Sequence, residues 1–189
     1  MTTLIMGLVL FLGVHSTSIF ANSWRDQMAA KLGNGWRGIY SILSLAGLLL
    51  IIKGFGEARV APHVIYTSPM WMHYIMYVLM LPVFPFLLAT YFPGKIKAVI
   101  KHPMLNAVKV WALAHLLVNG SLHEIILFGS FLAWAIFDRI SVKRRAARPI
   151  ATAPASKYND WIAVIGGLAL YVLMVHGGLH YKLIGVMPL

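Results

Sequence analysis

A chain of 189 residues that is 60% hydrophobic and only 11% charged, with a mean hydropathy of +0.78, is far too apolar for a water-soluble domain of its size. That apolar content excludes intrinsic disorder, and the absence of cysteine excludes a disulfide framework and a thiolate metal site. The net charge of +11, from 16 Lys and Arg against 5 Asp and Glu, lies in short segments between apolar runs, which points to an anionic lipid surface rather than to nucleic acid.

A membrane-spanning helix needs about 20 apolar residues, or somewhat fewer where flanking Lys and Arg reach the interface. Six runs approach that length: roughly Thr3–Phe20, Gly38–Ile52, Met70–Phe92, Met104–Val118, Leu122–Phe137 and Trp161–Leu179. The expected fold is all-α, a polytopic transmembrane helical bundle of about six helices forming one integral membrane domain over residues 1–189. The first run follows Met1-Thr2-Thr3, which has no basic n-region, and it outlasts a usual signal-peptide core, so it reads as a retained helix. In the third run Pro82 and Pro85 predict a kink, since each removes a backbone donor. The pairs Gly166-Gly167 and Gly177-Gly178 predict close helix approach.

Basic residues concentrate on the cytoplasmic side of a membrane protein. Twelve fall in the first, third and fifth connections: Arg25, Lys31 and Arg37; Lys95, Lys97 and Lys101; and Arg139, Lys143, Arg144, Arg145, Arg148 and Lys157. Lys53, Arg59 and Lys182 lie on the other side, and Lys109 lies inside the fourth run. Both termini are therefore expected on the non-cytoplasmic side of the inner membrane. The longest connection, Asp138 to Asp160, passes through Pro149, Pro154 and Ser156 and is expected to be mobile and to face lipid.

Side chains whose burial costs energy carry the functional signal in such a chain. Eight histidines stand out, namely His15, His63, His73, His102, His115, His123, His176 and His180, and they are its plentiful metal donors. Zinc is disfavoured, because there is no HExxH pair and Asp26, Glu57, Glu124, Asp138 and Asp160 fall mostly in connections or at helix ends. Haem instead takes one imidazole from each of two helices at opposite faces of a flat ring. His15 and His115, deep in the first and fourth runs, form the natural pair of metal ligands. Trp111 and Asn119, four residues either side of His115, share its face and can supply a flat wall and a hydrogen-bonding group. Lys109, or Lys101 and His102, can neutralise propionates. His115 is level with His15 if Lys109 marks the interface, and toward the opposite side if the fourth span begins at His102. In the second case His102, just before Pro103, becomes the alternative partner at the depth of His15. His63 and His123 read as connection residues, while His73, His176 and His180 share the non-cytoplasmic end as anchors or as a second metal site.

Gly13-Val14-His15-Ser16, Lys101-His102-Pro103-Met104-Leu105, Trp111-Ala112-Leu113-Ala114-His115, Asn119-Gly120 and the Asp138-Arg139 start of the basic connection together resemble the NnrU family over essentially the whole chain. That family includes bacterial proteins linked to nitrite and nitric oxide metabolism in denitrifiers. It is also similar to plant and cyanobacterial zeta-carotene isomerase, an integral membrane enzyme that uses haem b to isomerise a cis double bond. The resemblance implies a haem b held by His15 and His115, with His102 in the matching His-Pro motif. The isomerase has a cysteine, proposed as a redox-dependent alternative ligand, where this chain has Ala112, so that ligand exchange is not available here.

The expected function is that of a haem b protein in a redox or nitric-oxide-linked role, with isomerase-like chemistry if an axial position opens beside a long apolar groove. Membrane lipids are the expected partners, and an apolar small molecule or nitric oxide the expected ligand. The alternative is a non-enzymatic accessory or transport protein without a cofactor, whose polar intramembrane residues line a solute or proton path. Its hint is the pair of abbreviated runs around Asn119-Gly120-Ser121. A third reading is a signalling partner that acts through Lys143–Arg148.

Overall fold

The computed structural model describes residues 1–146, 148 and 150–188, so that Pro149 of the long connection lies outside the described residues. Every apolar run becomes helix, and the fold is all-α. Among the described residues the only bridge of β type is an isolated antiparallel one between Val64 and Ser121. The chain groups into two compact units, residues 1–65 with 121–145, and residues 66–120 with 146–189.

The first unit holds α1 (Thr2–Phe20), α2 (Asn22–Leu32), α3 (Asn34–Ala58) and the helix Leu122–Ser141, which is α8 in chain order. Glycine decides how α1 meets α3. A Cβ on Gly54 would stand 2.2 Å from the Leu4 backbone nitrogen, one on Gly47 2.8 Å from that of Phe11, and one on Gly7 2.6 Å from that of Ile51. Leu4 pairs with Gly54 and Phe11 with Gly47, so the two helices run antiparallel with their backbones in contact, as small residues allow between apolar helices. Leu4 is fully buried at this seam. α8 starts with a reciprocal cap between Ser121 and Glu124 and runs alongside α1 in the same direction. Its first residue donates from Leu122 N to His63 O at 2.8 Å. Just beyond its last turn Arg145 Nη1 donates to Ser18 O, near the end of α1, at 2.7 Å. His123, expected in a connection, instead lies in the first turn of α8 and is 2% exposed, its ring 5.1 Å from that of Phe55. α8 starts at Leu122, where the apolar run begins, so His123 falls within its first turn and packs against Phe55 of α3.

The second unit holds α4 (Met70–Met80), α5 (Val83–Tyr91), α6 (Lys95–Ile100), α7 (Pro103–Val118), α9 (Asn159–Val175) and α10 (Leu179–Ile184). The third apolar run breaks at Leu81-Pro82, as expected of proline. Pro85 adds no kink, because it falls in the first turn of α5, where backbone N–H groups have no helical acceptor. α5 packs on α9 where a Cβ on Gly167 would lie 2.3 Å from Pro85 N, so this glycine pair does serve close approach. The other pair does not. Gly178 has φ +68° and turns the chain from α9 into α10, a left-handed conformation that suits glycine. Part of the long connection is tied down as well: Ala153 N donates to Tyr91 O at 2.8 Å, and Asn159 Nδ2 donates to Pro93 O and Pro154 O. Asp160 accepts from Lys95 N and Ile96 N, capping α6.

Three helical segments are long and apolar enough to cross a membrane, namely α1, α3 and the stretch Met70–Tyr91 made of α4 and α5. They fit a membrane protein. α7 and α9, at 16 and 17 residues, extend only about 24–26 Å, shorter than a hydrocarbon core of about 30 Å. α8 is 20 residues long, but His123, Glu124, Asp138 and Arg139 make its ends polar.

Candidate functional site

His15 sits in the fourth turn of α1, half-buried, at a level of the first unit where aromatic side chains surround it. Its ring stacks on Phe11 at 4.3 Å, meets Tyr40 of α3 edge-on at 5.2 Å, and stands perpendicular to Trp134 of α8 at 5.9 Å. Phe131 extends this box through Phe11. Trp134 Nε1 and Ser44 Oγ are buried in the same unit without a hydrogen-bond partner among the described residues. One turn beyond Trp134, Asp138 forms an ion pair with Arg145 at 2.9 Å, both side chains largely buried.

His115 occupies the last turn of α7 in the second unit. Trp111, one turn back, lies 5.5 Å away with its ring tilted by 53°. Asn119 is the C-cap of α7, and its backbone N–H donates to His115 O at 2.9 Å. The Tyr66 hydroxyl donates to the carbonyls of Leu116 and Asn119, fixing this helix end. Trp111, His115 and Asn119 are thus brought together on one helix end. Lys109 is half-buried on the same helix, six residues before His115, hence about two-thirds of a turn around it. His102 is the N-cap of α7, about 20 Å along the axis from His115, and Lys101 precedes it with φ +63°. In α7 as folded, His102 and His115 mark opposite ends. Ala112 is fully buried.

The two histidines share a local chemistry that spacing alone hinted at. His15 Nδ1 lies 2.7 Å from Phe11 O, and His115 Nδ1 lies 2.9 Å from Trp111 O. A carbonyl oxygen only accepts, so in each ring Nδ1 carries the proton and donates it, and Nε2 keeps its lone pair. A metal-binding imidazole is held in this way, with one nitrogen anchored to a carbonyl and the other turned into a ligand. Helix spacing puts the carbonyl of the residue four positions before each histidine within reach of Nδ1, and at Phe11 and Trp111 that residue also sets an aromatic ring beside the imidazole. Tyr40, Ser44 and Trp134 left no such signal, because only the packing of α3 and α8 on α1 brings them to His15.

Of the other histidines, His180 lies near enough to His115 for the two to interact electrostatically. His180 Nδ1 donates to Val186 O at 2.7 Å, and the buried His73 Nδ1 and His123 Nε2 have no hydrogen-bond partner among the described residues. Among those residues no three His, Asp or Glu side chains gather around a common point that would hold a metal ion.

A family model described as NnrU protein matches residues 3–188 as a single stretch. No curated protein and no solved structure matches the chain.

Proposed function

Since the chain belongs to the NnrU family, we propose that it acts through a haem b with His15 and His115 as iron ligands, in a redox or nitric-oxide-linked role in the inner membrane. The observation that carries this reading is that Nδ1 of each ring is held by the carbonyl one turn back, which fixes the same tautomer at both histidines. The donor set also fits: neutral imidazoles in apolar surroundings, with no thiolate to compete. When bound, haem would supply one-electron chemistry or a binding place for a diatomic gas.

The chain's own residues orient the ligands and exclude water. Phe11, Tyr40 and Trp134 hold the His15 ring on three sides. Trp111 fixes both the proton and the tilt of His115, while Tyr66 and Asn119 keep its helical turn closed. Lys109, on the same helix as His115, is the basic residue nearest in sequence to supply positive charge for propionates, whereas Lys101 and His102 stand at the far end of α7. Ala112, lacking a thiol, supports a fixed pair of imidazole ligands rather than ligand exchange of the isomerase kind. The asymmetry of the basic residues supports an orientation with both termini outside the cytoplasm.

Absorption spectra of the full chain purified from haem-replete cells test this directly. The wild type is expected to show a low-spin haem b spectrum, and His15→Ala and His115→Ala are each expected to lose or convert it. A colourless wild type, or an unchanged spectrum in both variants, overturns the proposal.

A further inference from the structure

His123 is a buried titratable group of the first unit that has no part in the haem reading. It is 2% exposed in the first turn of α8, with its ring 5.1 Å from that of Phe55 on α3. Its Nε2 is sealed from solvent and makes no hydrogen bond among the described residues. A neutral imidazole tolerates such a place, because one of its nitrogens carries no proton to donate. A protonated imidazole does not, since both nitrogens then carry N–H groups and each needs an acceptor.

The surrounding charges oppose a second proton as well. Arg59, the C-cap of α3, and the Met1 amine ahead of α1 act on the ring as cations, and the carboxylate acting against them is that of Glu124, its neighbour on α8. Glu124 already accepts from Ser121 N at 2.9 Å in the cap of the helix. Glu57 of α3 accepts from Thr3 and lies 3.9 Å from Lys53, so it is engaged too. Two backbone links close this end of the unit: Leu122 N donates to His63 O at 2.8 Å, and Ser121 pairs with Val64 in the isolated bridge. Both precede His123 by no more than two residues. A cation formed on the ring reaches water only if the first turn of α8 leaves α3, which breaks those links.

We propose that His123 is an acid-sensitive latch of the first unit: neutral, it holds the first turn of α8 on α3, and protonated, it releases that turn together with residues 63–64. In the orientation proposed above this end faces the non-cytoplasmic side, so the latch reads the outer pH.

The test is hydrogen exchange of the full chain in detergent, read by mass spectrometry and expressed as protection relative to an unstructured peptide at the same pH. A proton taken by the open ring and refused by the closed one makes opening rise about tenfold per pH unit below the ordinary histidine midpoint of about 6.5. From about pH 7.5 to about pH 5 the wild type is expected to lose protection over residues 122–126 by up to about 30-fold, while α9 keeps its own. His123→Gln cannot take up the proton and should hold its protection constant across that range, and His123→Leu replaces it if the first variant does not fold. Protection over 122–126 that ignores pH in the wild type, a loss of the same size in a folded His123 variant, or a loss shared equally by α9 each overturns the proposal.

Discussion

Gly54→Ala tests the seam between α1 and α3 with a single methyl group. The added Cβ would stand 2.2 Å from Leu4 N, 2.6 Å from Leu4 Cα and 2.7 Å from Thr3 C, where ordinary contact begins at 3.4 Å. All three obstacles are backbone atoms, so no side chain can swing aside and α1 must retreat by roughly 1.2 Å, the shortfall from 2.2 to 3.4 Å. A gap of that size forfeits much of the dispersion contact along the helix pair, including that of the fully buried Leu4. Overpacking of this kind costs about 1–3 kcal/mol, and the rigid obstacle places Gly54→Ala near the upper end. The matched control is Gly56→Ala on the same helix, where a Cβ meets nothing within 4 Å. It is expected to be neutral or to stabilise by about 0.5 kcal/mol through helix propensity. Unfolding of the purified protein by SDS titration, followed by far-UV circular dichroism, measures both. If Gly54→Ala unfolds at the wild-type midpoint, or if the two variants fall together, the backbone-contact argument is wrong.

Removing one partner from the Asp138–Arg145 pair should be costly, since both side chains are largely withdrawn from solvent. Arg145→Met is expected to lower stability by about 3 kcal/mol, and Asp138→Leu with Arg145→Met to regain most of it. A double-mutant cycle without coupling would refute the pair. Tyr66→Phe deletes the hydroxyl that binds the carbonyls of Leu116 and Asn119, and is expected to cost about 1–2 kcal/mol in the same titration. An unchanged midpoint would mean that water replaces the hydroxyl without loss.

The apolar runs were legible because a helix in lipid satisfies its own backbone, so hydropathy alone locates it. Run ends were harder to read. α3 begins at Asn34, four residues before the apolar stretch, and α2 occupies what reads as a polar connection, because interfacial helices need no continuous apolar run. Pro82 broke its helix as proline chemistry demands, whereas the innocence of Pro85 depended on where the next helix began. At the candidate site the histidines and Trp111 could be named from spacing. The Tyr40 and Trp134 walls of His15 could not, since they come from helices 25 and 119 residues further along the chain. His123 was misplaced although the apolar run already began at Leu122, because its burial comes from packing against Phe55 of α3, which spacing within α8 does not show.

The first unit is interleaved along the chain, since residues 66–120 separate α3 from α8. A nascent chain therefore releases the α1–α3 hairpin into the bilayer long before its third wall has been translated. During that interval His15 has Phe11 and Tyr40 but no Trp134, and Ser18 O waits for Arg145. Synthesis halted at Gly120 would leave this half-built cage exposed to lipid, which makes insertion of residues 121–145 the commitment step of biogenesis for the first unit.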